Sequence, residues 1–216
     1  MNIADKNAAD RSFSRLRKAI YDMDFENDGY NAYKKGKITT KDMCYTAMFA
    51  MIIAVCSWIS IPMTVPFTLQ TFGVFAALGV LGGKKGTAAV IVYVLLGVVG
   101  LPVFAGFKLG IGALLGTTGG YIIGFVLSGI AYWAITNRFG TKLTVTVIAM
   151  AVGLIVCYAF GTAWFMFVYT RSRGAVTLWS ALGRCVFPFI IPDAVKIALA
   201  VFVSEKAGKY ASLKKA

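Results

Sequence analysis

From Met43 to Gly83 the chain has no charged side chain, and from Met43 to Ser204 it has a single acidic one, Asp193. A water-facing fold of that length needs solvated carboxylates over its surface. A chain embedded in hydrocarbon must shed them, because a charge at the centre of a span costs ~2.5–3.5 kcal/mol on insertion scales. The pattern therefore directs the chain into a bilayer. Composition agrees: 58% of residues are hydrophobic and 14% charged, against roughly 45–50% and 25% in soluble domains.

An uncharged run from 43 to 83 is too long for one span of ~20 residues and suits two with a tight connection. The break falls at Pro62 and Pro66, which predicts span 1 over about 43–61 and span 2 over about 67–83. Lys84 and Lys85 close span 2. Span 3 runs over about 86–101 and stops before Pro102, span 4 over about 116–136, span 5 over about 143–168 and span 6 over about 185–204. The expected fold is an all-α integral membrane protein of six transmembrane helices. Its divisions are a cytosolic basic extension over 1–42, a membrane domain over 43–206 and a basic tail over 207–216. Within the extension, Phe13, Leu16, Ile20 and Met23 share one helical face, read either as an amphipathic surface helix or as a short helix in a loosely ordered basic tail. The polar opening does not read as a cleavable signal peptide.

The basic residues set the orientation. With the N-terminus inside, 17 of the 22 Lys and Arg fall on inner segments, while Lys108, Arg171, Arg173 and Arg184 fall on outer ones. Lys196 lies within span 6. The prediction is N-in/C-in, a multi-pass protein of the cell membrane. The net charge of +13 then faces anionic lipid. Basic residues gathered between apolar spans, not interleaved with aromatics on a soluble face, do not point to nucleic acid.

Several chemistries find no residues to carry them. There is no histidine, and Cys44, Cys56, Cys157 and Cys185 have no metal-ligand spacing, which excludes a zinc site or a His-based catalytic centre. No cofactor is expected. No G-x4-G-K-[ST] occurs, so ATP hydrolysis would need other subunits. One intramembrane aspartate leaves an enzyme without a second carboxylate or a base.

Small residues recur at every fourth position in Gly112, Gly116, Gly120, Gly124 and Ser128, a spacing that brings helix backbones close. At their upper end, "GTTGGY" enters span 4 from a loop, where free amides of a first turn can meet a polar ligand group. Ala50 and Ala54 form a similar pair on span 1, read either as bundle packing or as an interface with another membrane subunit. The outer loops "SIPMTVPFTLQT" and "GLPVFAGFKLGIG" are rich in Pro, Gly and aromatics and nearly free of charge. Non-helical backbone at membrane depth survives only where protein or a cavity covers it. Asp193 and Lys196, at i and i+3 in span 6, share a helix face and partly neutralise each other. The pair reads either as a self-compensating ion pair, or a lysine that snorkels to a surface, or as a polar recess able to hold a solute, since intramembrane ionisable residues usually mark a functional site.

The motifs VPFTLQT, GLPVFAG, TGGY and IPDAVK, in that order, resemble the BioY family, the biotin-specific S components of energy-coupling factor (ECF) transporters. The resemblance covers about residues 43–206. It implies a six-helix bundle whose re-entrant-type outer loops cover a biotin pocket. It also implies a transmembrane coupling subunit (EcfT-type) and two ATPase subunits (EcfA-type) as partners. Carried over by motif, the pocket residues are Asp193, Lys196, Tyr121, Gly119, Gly120, Gln70, Thr68, Phe104 and Lys108. Ala50 and Ala54 match the face that presses on the coupling subunit. The chain departs from the family where Thr117 replaces a common proline, where IPD replaces PGD, and around Phe107 and Lys108, where the family has glycines. Alternatives from the residues alone are an S component for another vitamin or a non-transporting membrane scaffold.

Overall fold

The computed structural model describes residues 39–63 and 65–213. The surface helix expected over residues 13–23, most of the N-terminal extension and the last residues of the tail lie outside them. The chain divides into two compact units, Met1–Met43 and Cys44–Ala216. Within the first, Thr39 and Asp42 cap the next helix reciprocally. The Asp42 amide donates to Thr39 Oγ1 at 3.2 Å and the Thr39 amide to Asp42 Oδ2 at 3.4 Å, satisfying two of the amides that every helix start leaves free.

The main elements are α1 (Thr40–Trp58), a two-stranded hairpin of β1 (Ser60–Ile61) and β2 (Phe67–Thr68), α2 (Gln70–Val99) and a short α3 (Gly110–Leu115). After them come α4 (Gly119–Phe139), α5 (Leu143–Arg173), α6 (Leu178–Cys185) and α7 (Phe187–Leu213). Among the described residues, four segments are long and apolar enough to cross a membrane: Gln70–Val99, Gly119–Phe139, Leu143–Ser172 and Phe187–Ala207. The architecture is mostly helical, as composition requires.

α2 is not one rod. Gly82 adopts φ 78°, ψ 168°, a left-handed conformation that only glycine enters without strain. A Cβ on Gly86 would sit 2.6 Å from Leu78 Cα, so the chain doubles back here into two arms. The break lies beside Lys84 and Lys85, the expected end of span 2. The second arm runs beside α4, with Gly83 against Trp133 and Gly129 against Thr87.

α4 and α5 pack antiparallel. Gly120 meets Trp164, Gly124 meets Cys157 and Gly153 meets Ser128. Close backbone approach of this kind replaces the hydrophobic drive that lipid cannot supply. The five-residue ladder expected on span 4 is thereby corrected. Gly112 belongs to α3 and Gly116 caps it, so only Gly120, Gly124 and Ser128 lie on the packed face of α4. The fourth-position spacing ran across a chain break that periodicity does not register.

Ala50 and Ala54 also need correction as a partner-facing pair. Both have no exposed surface within the chain itself, together with Ile53 and Ser57. They face inward, beside the close approach of Ile53 and Cys56 to Gly73 of α2. The stripe of α1 left open carries Tyr45, Met48, Met51, Ile52 and Val55 instead. Small-residue spacing finds a close-packing face but not which neighbour it meets.

Candidate functional site

At the end of the bundle opposite Gly82, a cavity forms between the two non-helical segments, the early turns of α4 and α7 and the middle of α5. Val65, Pro66 and Thr68 line it from the hairpin. Phe104, Ala105 and Lys108 line it from the segment after α2, and Asp193 and Lys196 from α7.

The charged pair closes this site from α7. Asp193 and Lys196 are 3% and 4% exposed. Lys196 Nζ donates to Asp193 Oδ1 at 2.7 Å and to the Thr68 carbonyl at 2.6 Å. It also lies 4.1 Å from the centre of the Phe67 ring, a favourable position for a cation. Phe67 stacks in turn on Phe189 of α7, centroids 6.1 Å apart. One lysine therefore neutralises the aspartate and ties the hairpin to α7. Burial of two charges is tolerable only with such geometry.

Tyr158, on α5, completes the cluster. Its hydroxyl donates to Asp193 Oδ2 at 2.6 Å. Each carboxylate oxygen thus holds one protein donor and retains capacity for another, so Asp193 still presents acceptor sites to a solute with N–H groups.

The segment after α2 is pinned in several places. Phe104 is 1% exposed and its ring fills the space beside Gly97, which a Cβ there would invade. It meets Tyr93 edge-on at 5.7 Å, and Tyr93 accepts from Gln70 Nε2 at 3.0 Å. Trp58 Nε1 donates to the Pro102 carbonyl at 2.8 Å and Ser57 Oγ to that of Val103. Phe107 has φ 58°, a conformation that costs a bulky residue energy, and its ring stacks on Trp58 at 5.4 Å. The sequence departure from glycine at this position is accommodated by that stack.

Of the residues expected at the site, Thr68, Gln70, Phe104, Lys108, Tyr121, Asp193 and Lys196 all line the cavity. Gly119 and Gly120 do not. Gly120 is occupied by the Trp164 side chain, and a Cβ on Gly119 would meet the Leu114 carbonyl. The Gly119 amide donates to the Gly116 carbonyl and the Tyr121 amide to that of Thr118, so these first-turn donors are already used. The pair serves packing, and it places Tyr121, whose hydroxyl pairs with Thr162 at 3.0 Å. The expectation missed Tyr158 and the Phe67–Phe189 stack. A tyrosine inside an apolar run needs a partner for its hydroxyl, and Asp193 is the only carboxylate between Met43 and Ser204; that was the available signal.

These features define a class: a helical membrane protein with a covered, charge-paired recess for a small polar solute. Comparison with known proteins narrows it. Residues 31–212 match the model of the BioY family. A biotin transporter BioY of Thermotoga maritima is 37% identical over 170 residues, 78% of this chain and 96% of that protein. A probable biotin transporter BioY of Pyrococcus horikoshii is 37% identical over 167 residues, 77% and 95% of the two chains. The crystal structure of the S-component for biotin from an ECF-type ABC transporter superposes with a TM-score of 0.70 at 26% identity, covering 80% of this chain and 95% of that one. The chain belongs to the BioY family. It is a multi-pass protein of the cell membrane.

Proposed function

We propose that the chain captures biotin as the substrate-binding S component of an ECF-type transporter and does no chemistry on it. The observation that carries this reading is the buried Asp193–Lys196–Tyr158 cluster opening on a cavity covered by two non-helical segments. Biotin carries two ureido N–H donors, an apolar bicycle and a carboxylate. Asp193 accepts from the ureido N–H groups, and the aromatic and apolar walls enclose the rings. Charge-assisted hydrogen bonds in a dry pocket are among the strongest available. The names of the relatives point the same way.

Six crossings with both termini inside follow if the two arms of α2 each span the bilayer. The fold-back at Gly82 supports this, as does the gathering of Lys84, Lys85, Arg138 and Lys142 near turns at that end. The divisions are then the extension over 1–42, the membrane domain over 43–206 and the tail over 207–216. Energy comes from separate subunits, a transmembrane coupling subunit of EcfT type and two EcfA-type ATPases.

The test is calorimetric binding of biotin, thiamine and riboflavin to the purified full chain, with mass spectrometry for co-purifying biotin. Biotin alone is expected to bind. Asp193→Asn is expected to weaken it at least about tenfold, or about 1.4 kcal/mol. Selective binding of thiamine or riboflavin would replace biotin in this reading, and an unaltered affinity in Asp193→Asn would remove Asp193 from it.

A further inference from the structure

Along the second half of α5, four side chains fall on one narrow stripe: Phe160, Trp164, Phe167 and Arg171. Steps of four, three and four residues keep them within about 60° of one another around a helix of ~3.6 residues per turn. The rings meet in succession. Phe160 stacks on Trp164 with centroids 6.3 Å apart, Trp164 meets Phe167 at 6.5 Å, and the Arg171 guanidinium carbon lies 4.2 Å from the centre of the Phe167 ring. Phe167 is 54% exposed, Arg171 is exposed as well, and Phe160 and Trp164 are half-buried.

The stripe is held in place from below. Trp164 packs over Gly120 of α4, and its Nε1 donates to the Gly116 carbonyl at 3.1 Å. Arg171 at the top has no such tie. Among the described residues it has no hydrogen bond and no carboxylate within ion-pair distance. Asp193, the one acid between Met43 and Ser204, is engaged by Lys196 and Tyr158. A guanidinium carries five N–H donors, and contact with a ring face uses none of them. Arg184 differs: it donates to the Tyr169 hydroxyl at 3.4 Å, on another face of α5.

Arg171 stands two residues before the end of this 31-residue helix, about 42 Å from its start at ~1.5 Å per residue. A bilayer with its headgroups is ~40–45 Å thick. The guanidinium therefore lies at headgroup level and the rings lie along acyl chains. We propose that Phe160, Trp164, Phe167 and Arg171 form a docking site for an anionic phospholipid, its phosphodiester on Arg171 and one acyl chain along the rings. The planar N–H fork of an arginine matches two phosphate oxygens. A zwitterionic lipid brings an ammonium group beside the phosphate, which opposes the guanidinium. The site thus selects for headgroup charge, and it stands whether or not the cavity takes biotin.

The experiment is native mass spectrometry of the full chain in detergent, titrated with phosphatidylglycerol and phosphatidylcholine of identical acyl chains. Wild type is expected to prefer phosphatidylglycerol by about fivefold, the ratio given by about 1 kcal/mol for one basic residue at an anionic headgroup. Arg171→Gln is expected to bring that ratio below about twofold, while Arg171→Lys keeps most of it and Arg184→Gln leaves it unchanged. An excess of sn-glycerol 1-phosphate is expected not to displace the lipid. Equal binding of the two lipids by wild type, or an unchanged ratio in Arg171→Gln, overturns the site. An equal loss in Arg184→Gln also overturns it, in favour of diffuse attraction by the basic residues at this end. Displacement by glycerol phosphate would assign Arg171 to a free phosphate ester and remove the lipid.

Discussion

Replacing Asp193 and Lys196 separately and together distinguishes a pair kept for binding from one kept for folding. Both groups are almost fully buried, at 3% and 4% exposure. Lys196→Met leaves the carboxylate with Tyr158 as its remaining donor and frees the Thr68 carbonyl. Removing one partner of a buried pair costs about 3–5 kcal/mol, because the other charge stays desolvated. Asp193→Leu strands the ammonium at a similar cost. Two independent losses would sum to about 6–10 kcal/mol. The double variant buries no charge, and the cavity beside it has room for the added methyls. Such replacements are often neutral or stabilising. The loose ends are the hydroxyl of Tyr158 and the Thr68 carbonyl; both residues border the cavity, which puts each near the low end, about 1 kcal/mol, of the ~1–3 kcal/mol that an unpaired buried polar group costs. Its net cost is therefore about 0–2 kcal/mol, a coupling of more than about 4 kcal/mol. Unfolding by SDS titration in mixed micelles, followed by the fluorescence of the four tryptophans, measures all three, and calorimetry measures biotin binding. The double variant should be nearly as stable as wild type and bind no biotin. A double variant destabilised by the full sum would show that the ions hold the bundle together and are not retained for binding.

Two further outcomes follow from the geometry. Gly97→Leu should expel the Phe104 ring from its place against α2, weakening biotin binding at least about tenfold, or about 1.4 kcal/mol. Faster hydrogen exchange confined to residues 100–109 would accompany it, whereas unchanged exchange there would show that Phe104 does not anchor the segment. Tyr158→Phe conserves volume but deletes the donor to Asp193 Oδ2. Stability should fall by about 1.5–3 kcal/mol, read by the same SDS titration, and an unaltered midpoint would mean that the 2.6 Å bond contributes nothing net.

The membrane class and the charged pair were legible in the sequence because the energies involved are large. A carboxylate in hydrocarbon is rare enough that Asp193 identifies itself, and i, i+3 spacing supplies Lys196 as its neighbour without any knowledge of the fold. The breaks at Pro102 and near Lys84 were legible too, since both proline and a lysine pair interrupt a span visibly. Gly82, the residue that turns the chain back, was not singled out, because a glycine next to another glycine does not reveal which of them takes a positive φ.

What the sequence left dark is chiefly the identity of neighbours. Ala50 and Ala54 read as a close-packing face, and they are one, but the spacing contains nothing about whether the approaching helix belongs to the same chain. Gly119 and Gly120 failed for the same reason: a small residue permits approach equally to a ligand or to Trp164. The Thr68 contact with Lys196 is the extreme case. The two residues are 128 positions apart, and the acceptor is a backbone carbonyl, which every residue possesses. No residue type marks it. Yet that bond couples the hairpin over the cavity to the helix that carries Asp193, and the Phe67 ring of the same hairpin lies against the same ammonium. The charge visible in the sequence as the obvious partner for an acid is the one the fold has already engaged within the chain.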